Sequence, residues 1–314
     1  MRTPFLSPNR RVRPASVPAV GDASLSDNLR GTTLMVLSMA TFTCNDAVMK
    51  AVTQTLPLYE SVALRGLVVL AMMLVIAAIQ QGGVRLTVPR ADCGPLVLRT
   101  AADIVSTLLY LMALRKMALA DLSAIMQALP LAVTLAAALV FREKLGWRRF
   151  SAIGIGFAGV VLILRPGTGA FDIWSALGLA AMFLIVVRDI ATRKFTVGTG
   201  SSTIAFYAAL TVTLSGVVLG AAEDWRLPTL REALLLLLAA GFLTVGYLAA
   251  VATMRVGEIS FVAPFRYTSL LFAIVLGVLV FNEWPDLWTW TGSGLVVGAG
   301  LYTILRERTL GKAS

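Results

Sequence analysis

Val280-Phe281-Asn282-Glu283 closes an apolar run that begins after Ala252-Thr253-Met254-Arg255. Val140-Phe141-Arg142-Glu143 closes another, which begins after Met112-Ala113-Leu114-Arg115. Arg115 and Arg255, Phe141 and Phe281, and Glu143 and Glu283 each stand 140 positions apart (281 against 141), and the match continues through Gly154 and Gly294. Asp46 and Asp189, followed by Lys50 and Arg193, keep a similar spacing of 143 (189 against 46). The chain is a duplication. When each half crosses a membrane an odd number of times, the halves lie in opposite orientations, which is the architecture of secondary transporters.

The composition is that of a membrane protein: 58% hydrophobic and 14% charged, with a mean hydropathy of +0.83. A soluble domain carries about a quarter charged residues. The formal charge of +10 is dispersed between apolar runs rather than gathered on one module, so nucleic acid is not an expected partner. The chain has no histidine, which excludes a histidine relay or a histidine-ligated metal. Cys44 and Cys93 show neither metal-ligand spacing nor a disulfide framework, and no cofactor is expected. Residues 1–28 read as a disordered cytoplasmic tail, since the first apolar run begins only at Leu34 and is long enough to span; 307–314 read as a second tail.

A hydrocarbon core needs roughly 20 helical residues. By that measure ten spans are expected, at about 30–52, 58–79, 95–114, 120–141, 148–165, 173–192, 203–221, 233–252, 260–281 and 287–305, forming two five-helix repeats over 29–166 and 172–306. Basic residues set the orientation. With a cytoplasmic N-terminus, the tail arginines, Arg85, Arg90, Arg142, Lys144, Arg148, Arg149, Arg193, Lys194, Arg255, Arg306, Arg308 and Lys312 lie inside, whereas Arg115, Lys116, Arg165, Arg226 and Arg231 lie outside. Both termini are then cytoplasmic.

Gly154-Ile155-Gly156-Phe157-Ala158-Gly159 has the form of a dinucleotide fingerprint, but it lies inside an apolar span without the strand that motif requires. Small residues here, and Gly294 with Gly298 in the equivalent span, point to close helix packing within the bundle, with a homodimer interface as the alternative.

Charges at bilayer depth face a cavity or a partner. Asp46 lies roughly 24 Å along a helix starting near Arg30. Beside it are Asn45 and, at i+4, Lys50, the expected ion-pair partner. Asp189 is expected to pair with Arg193 in the same way, with Arg188 pointing elsewhere. Glu60 stands near the outer end of the second span with Arg65 deeper, and Arg99 and Asp103 are i,i+4 in the third. In the ninth span Phe265-Arg266-Tyr267 follows Pro264, whose missing N–H loosens the helix. The equivalents of Arg266 and Tyr267 in the fourth span are Met126 and Gln127. An asymmetric polar group in a symmetric scaffold is a candidate for substrate recognition. Tyr110, Tyr207 and Tyr247 suit core or interfacial positions, and Trp284, Trp288 and Trp290 an interfacial belt.

With these features the sequence resembles the EamA-type branch of the drug/metabolite transporter superfamily. The resemblance rests on two five-helix halves, each ending in Val-Phe plus an acidic residue and a glycine-rich last helix, over nearly all of 30–305. It implies an all-helical polytopic protein, with ten helices around a central cavity and the fifth and tenth at the periphery. Leu25-Ser26-Asp27-Asn28-Leu29-Arg30-Gly31, Phe42-Thr43-Cys44-Asn45-Asp46, Val187-Arg188-Asp189-Ile190-Ala191-Thr192-Arg193 and Gly257-Glu258-Ile259-Ser260-Phe261-Val262-Ala263-Pro264-Phe265-Arg266-Tyr267 are similar to an alphaproteobacterial group close to the riboflavin importers.

The expected function is therefore inner-membrane uptake of a small metabolite, riboflavin, by alternating access rather than catalysis. Expected substrate residues are Arg65, Asp103, Tyr110, Gln127, Tyr247, Phe265, Arg266 and Tyr267. Asn45, Asp46, Lys50, Glu60, Arg188, Asp189 and Arg193 are expected at the gates, and Asp46, Asp103 or Glu60 would titrate if uptake is proton-coupled. Export of amino acids or related metabolites, or uptake of S-adenosylmethionine, remains the alternative on the same fold.

Overall fold

A computed structural model describes residues 25–79, 87–142, 146–166, 172–196, 199, 201–256 and 258–311. Its helices are α1 (Leu25–Val52), α2 (Leu58–Ile79), α3 (Cys93–Leu114), α4 (Leu119–Met126), α5 (Leu129–Phe141), α6 (Trp147–Leu164), α7 (Ile173–Thr192), α8 (Ser201–Gly220), α9 (Leu230–Val256), α10 (Ile259–Val262), α11 (Thr268–Phe281) and α12 (Leu287–Gly311). No strand occurs among the described residues. Among the described residues, eight segments are long and apolar enough to cross a membrane, and α1 and α12, which are more polar, are not among them. Glu143, Lys144, Arg85 and Lys312 lie outside the described residues, as do 1–24.

The fold shows the duplication in its packing. The main helix pairs are α1 with α9, α3 with α7, α2 with α8 and α6 with α12. Exchanging each helix for its repeat mate turns the first pair into the second and returns the last two to themselves, as a two-fold relation requires. The backbone repeats as well: Arg142 and Asn282, each following the duplicated Val-Phe, both take φ 55° and ψ 34° at a helix end. Such a left-handed residue is a common way to stop a helix.

Both self-paired crossings are made by glycine. A Cβ on Gly159 of α6 would lie 2.6 Å from the Gly292 carbonyl oxygen of α12, and one on Gly292 would lie 2.5 Å from the Gly159 carbonyl oxygen. Where α8 crosses α2, a Cβ on Gly216 would lie 2.8 Å from the Ala63 nitrogen. These are backbone obstacles, which no rotamer change relieves. Gly292→Ala is expected to force α6 and α12 apart and cost about 1–3 kcal/mol, read as a lower melting temperature in detergent. Gly298→Ala, with nothing within 4 Å of the added methyl, is expected to leave that temperature unchanged.

Two expected spans are broken. α4 stops at Gln127 and α5 resumes at Leu129, with Pro130 in its first turn. α10 passes through a 3-10 turn over Ala263–Tyr267, containing Pro264, into α11. Proline lacks the N–H that would continue the ladder, so both breaks have a local cause. The tail boundaries need correction. α1 begins at Leu25, inside the stretch expected to be disordered, where the Asn28 side-chain oxygen accepts the Glu258 N–H at 3.0 Å. α12 continues to Gly311.

Candidate functional site

Among the described residues, four clusters of polar side chains inside the bundle contain the expected site residues. The first joins α1, α2 and α3. The Asn45 amide donates to one Asp46 oxygen at 3.0 Å and the Tyr110 hydroxyl to the other at 2.7 Å. Arg65 donates to the Asn45 oxygen at 3.3 Å, and its Nε, buried, has no hydrogen-bond partner. A guanidinium has five donors. Arg65 therefore brings unused capacity to a buried position.

The second cluster joins α3 to α7. Arg188 bridges Asp103 at 3.2 Å and Asp189 at 2.9 Å. Arg99 stands 3.8 Å from Asp103 and donates through Nε to the Thr192 hydroxyl at 3.1 Å. Arg99, Asp103, Ser106 and Tyr110 follow one another at helical spacing, so a single polar stripe of about 16 Å along α3 connects the two clusters.

The third lies where the two breaks meet. Gln127 donates to the Ser269 hydroxyl at 2.5 Å, Ser269 donates to the Arg266 carbonyl at 3.1 Å, and Thr43 of α1 donates to the Ser269 carbonyl at 3.4 Å. Arg266, three residues before Ser269, shares its face and is exposed. The breaks therefore meet α1 within a turn of Asp46.

The fourth closes one end of the bundle. Lys50 pairs with Glu283, donates to the Met117 carbonyl at 2.7 Å, and stands 4.9 Å over the Phe281 ring. The other Glu283 oxygen accepts the Leu119 N–H at 2.9 Å and caps α4, whose own N-cap residue Ala118 offers no side chain for the purpose. The duplicated Val-Phe-x-Glu motif thus holds the α1 lysine with both its ring and its carboxylate.

The expected pairings of Lys50, Asp189 and Arg188 are overturned by this geometry. Lys50 pairs with Glu283 rather than Asp46, and Asp189 with Arg188 rather than Arg193, which is exposed. Arg188 points at both aspartates rather than elsewhere. Tyr267 does not join the central groups: it is buried against α12, its hydroxyl filling the space that a Cβ on Gly300 would occupy. Tyr247 lies edge-on to Phe42 at 6.2 Å, with half its surface exposed. Phe265 stacks on Phe261 at 6.5 Å, beside the break. Glu60 is buried at the start of α2, about a turn and a half before Arg65 as expected, and its carboxylate accepts the Arg226 N–H at 3.5 Å.

One pair was missed. Asp92, before α3, accepts the Thr196 N–H at 3.0 Å, its hydroxyl at 2.8 Å and the Thr199 hydroxyl. Glu232, in the first turn of α9, accepts the Thr55 hydroxyl at 2.7 Å and both terminal nitrogens of Arg226. Each carboxylate ties the third long helix of one half to the loop after the first helix of the other. Arg226 lies in the loop before α9, and the bidentate bond to Glu232 raises its pKa above the ordinary guanidinium value. The signal was present in the sequence, since 92 and 232 keep the 140-residue spacing, but different acidic residues obscured it. Among the described residues no group of His, Cys, Asp and Glu is arranged to hold a metal.

Comparison with known proteins gives a consistent picture. The sequence pattern of the EamA-like transporter family matches residues 29–165 and 172–305. The riboflavin transporter of Vibrio cholerae is 29% identical over 230 residues, covering 73% of this chain and 77% of that protein. The S-adenosylmethionine uptake transporter of Rickettsia bellii is 30% identical over 181 residues, covering 57% and 62%. The pseudopaline exporter CntI of Pseudomonas aeruginosa is 27% identical over 271 residues, covering 86% and 94%. A crystal structure 18% identical in sequence superposes with a TM-score of 0.63 over 89% of this chain and 96% of its own. That likeness concerns the fold alone.

Proposed function

The chain belongs to the EamA-like transporter family, and from that premise we propose that it imports riboflavin across the bacterial inner membrane by alternating access. In this reading α1, α12 and the eight more apolar segments make ten crossings, the two five-helix halves lie inverted, and both termini are cytoplasmic. The protein is a multi-pass membrane transporter of a small molecule.

The observation that carries the reading is the meeting of the two helix breaks beside the Asn45–Asp46–Tyr110 network. Broken helices expose backbone groups at membrane depth only where protein or solute satisfies them. Riboflavin presents a ribityl chain of hydroxyls and an imide edge, both suited to amide, hydroxyl and guanidinium partners. Gln127, Asn45, Tyr110, Arg65 and Arg266 supply those chemistries, and Phe265 an apolar wall. Asp103 and Arg188 extend the polar stripe toward the end of the bundle opposite Lys50–Glu283. Asp46, which holds Tyr110 and faces Arg65, is the group we assign to coupling.

A riboflavin auxotroph lacking its own importer tests this directly. Expression of this chain is expected to restore growth on low riboflavin and uptake of labelled riboflavin, with excess S-adenosylmethionine or aromatic amino acids failing to compete. Membrane-inserted protein without rescue would remove riboflavin. Competition by S-adenosylmethionine, or net efflux of amino acids, would support the alternatives instead.

A further inference from the structure

We infer that the outer groove between α6 and α12 is a binding site for an anionic phospholipid. The groove encloses about 400 Å³, and its walls include Trp147, Arg148 and Ile155 of α6 and Gly294, Gly298 and Tyr302 of α12. The two helices run antiparallel along it, since Gly159 meets Gly292 while Gly156, earlier in α6, meets Ala299, later in α12. One end is therefore made by the start of α6 and the last turns of α12.

The glycines divide the work on these helices. Gly159 and Gly292 are closed by each other's backbone, whereas a Cβ on Gly294 or Gly298 would meet nothing within 4 Å. The GxxxG of α12 is thus not used for packing inside the chain. It lines an open apolar channel between the two helices.

Two arginines stand at this end of the channel. The Arg148 guanidinium lies 5.3 Å over the Trp147 ring, which is 74% exposed, and Arg306 donates to the Tyr302 hydroxyl at 3.1 Å. The start of α6 carries no side-chain cap, so its first N–H groups add positive potential there. Among the described residues, none that lines the groove is acidic. This charge distribution selects the occupant. A second copy of the chain, seated face to face about a two-fold axis, would bring the arginine-rich ends together at one membrane depth. A phospholipid with a net negative headgroup puts its charge at that end and its acyl chain over the glycines, as in basic pockets between membrane helices.

The test uses the full chain in lipid nanodiscs containing phosphatidylglycerol or phosphatidylcholine with brominated acyl chains, which quench nearby tryptophan. Subtracting the Trp147→Phe signal isolates Trp147. Brominated phosphatidylglycerol is expected to quench Trp147 at about fivefold lower mole fraction than brominated phosphatidylcholine for each arginine engaged. Arg148→Ala combined with Arg306→Ala should abolish the difference. Gly298→Leu, whose Cβ meets nothing within 4 Å and whose side chain extends into the groove, should displace both lipids and reduce quenching altogether. Equal quenching by the two lipids would overturn the proposal. So would a Trp147 shielded from both, together with disulfide-linked dimers of a Gly298→Cys variant, which would give the groove to a second copy. The readout does not depend on which solute is carried.

Discussion

Lys50→Ala is expected to lower the stability of the folded protein by about 3 kcal/mol, seen as a large fall in melting temperature and in the amount recovered from membranes. Removing one partner of a buried ion pair leaves the other charge stranded, typically at about 3–5 kcal/mol. The lower end applies because about a quarter of the Glu283 side chain stays exposed. The pairing makes a sharper forecast. Glu283→Gln in the Lys50→Ala background removes the stranded charge while keeping an acceptor for the Leu119 N–H, so the double variant should melt closer to the parent than Lys50→Ala does. Glu283→Ala in the same background should recover less, since α4 would lose its cap, worth about 1 kcal/mol. A double variant that loses the sum of the two single-variant losses would mean that the Lys50–Glu283 contact carries no energy.

Arg266→Ala is expected to act oppositely, abolishing most transport with no loss of protein. Arg266 is exposed on the Ser269 face, so its removal strands no buried partner. A hydrogen bond from a charged donor to solute is worth about 1.5–3 kcal/mol, so half-saturation should rise about ten- to hundredfold. Arg266→Lys should recover part of this, since a point charge replaces a planar fork. The measurement is initial uptake against solute concentration, normalised to protein in the membrane. Unchanged uptake in Arg266→Ala would make Arg266 a bystander, and the asymmetry of the repeat at 126 and 266 would then have no part in solute choice.

Much of the architecture was legible. The spacing of Phe141 and Phe281 recurs in the backbone as matching helix ends at Arg142 and Asn282, and Pro264 marks a real interruption. Gly159 and Gly292 show that small residues in these helices permit close approach, whereas Gly294 and Gly298, which read the same in sequence, face outward. Composition identifies a small residue but not the side from which another helix arrives. The site was less legible. Spacing favours Asp46 as the partner of Lys50, one turn away, but the Lys50 side chain reaches Glu283, and the Asp46 carboxylate is occupied by Asn45 and Tyr110. Tyr267, paired in sequence with Arg266, points into α12 instead.

The sequence by itself determined that the chain is duplicated, helical and membrane-embedded, because apolar length and repeat spacing are sums over neighbouring residues. Only the tertiary structure decided which charges pair, which tyrosine holds Asp46 and which glycines touch. A charge in a low-dielectric interior binds the partner that folding brings within a few ångströms, and here that partner is often in the other half of the chain.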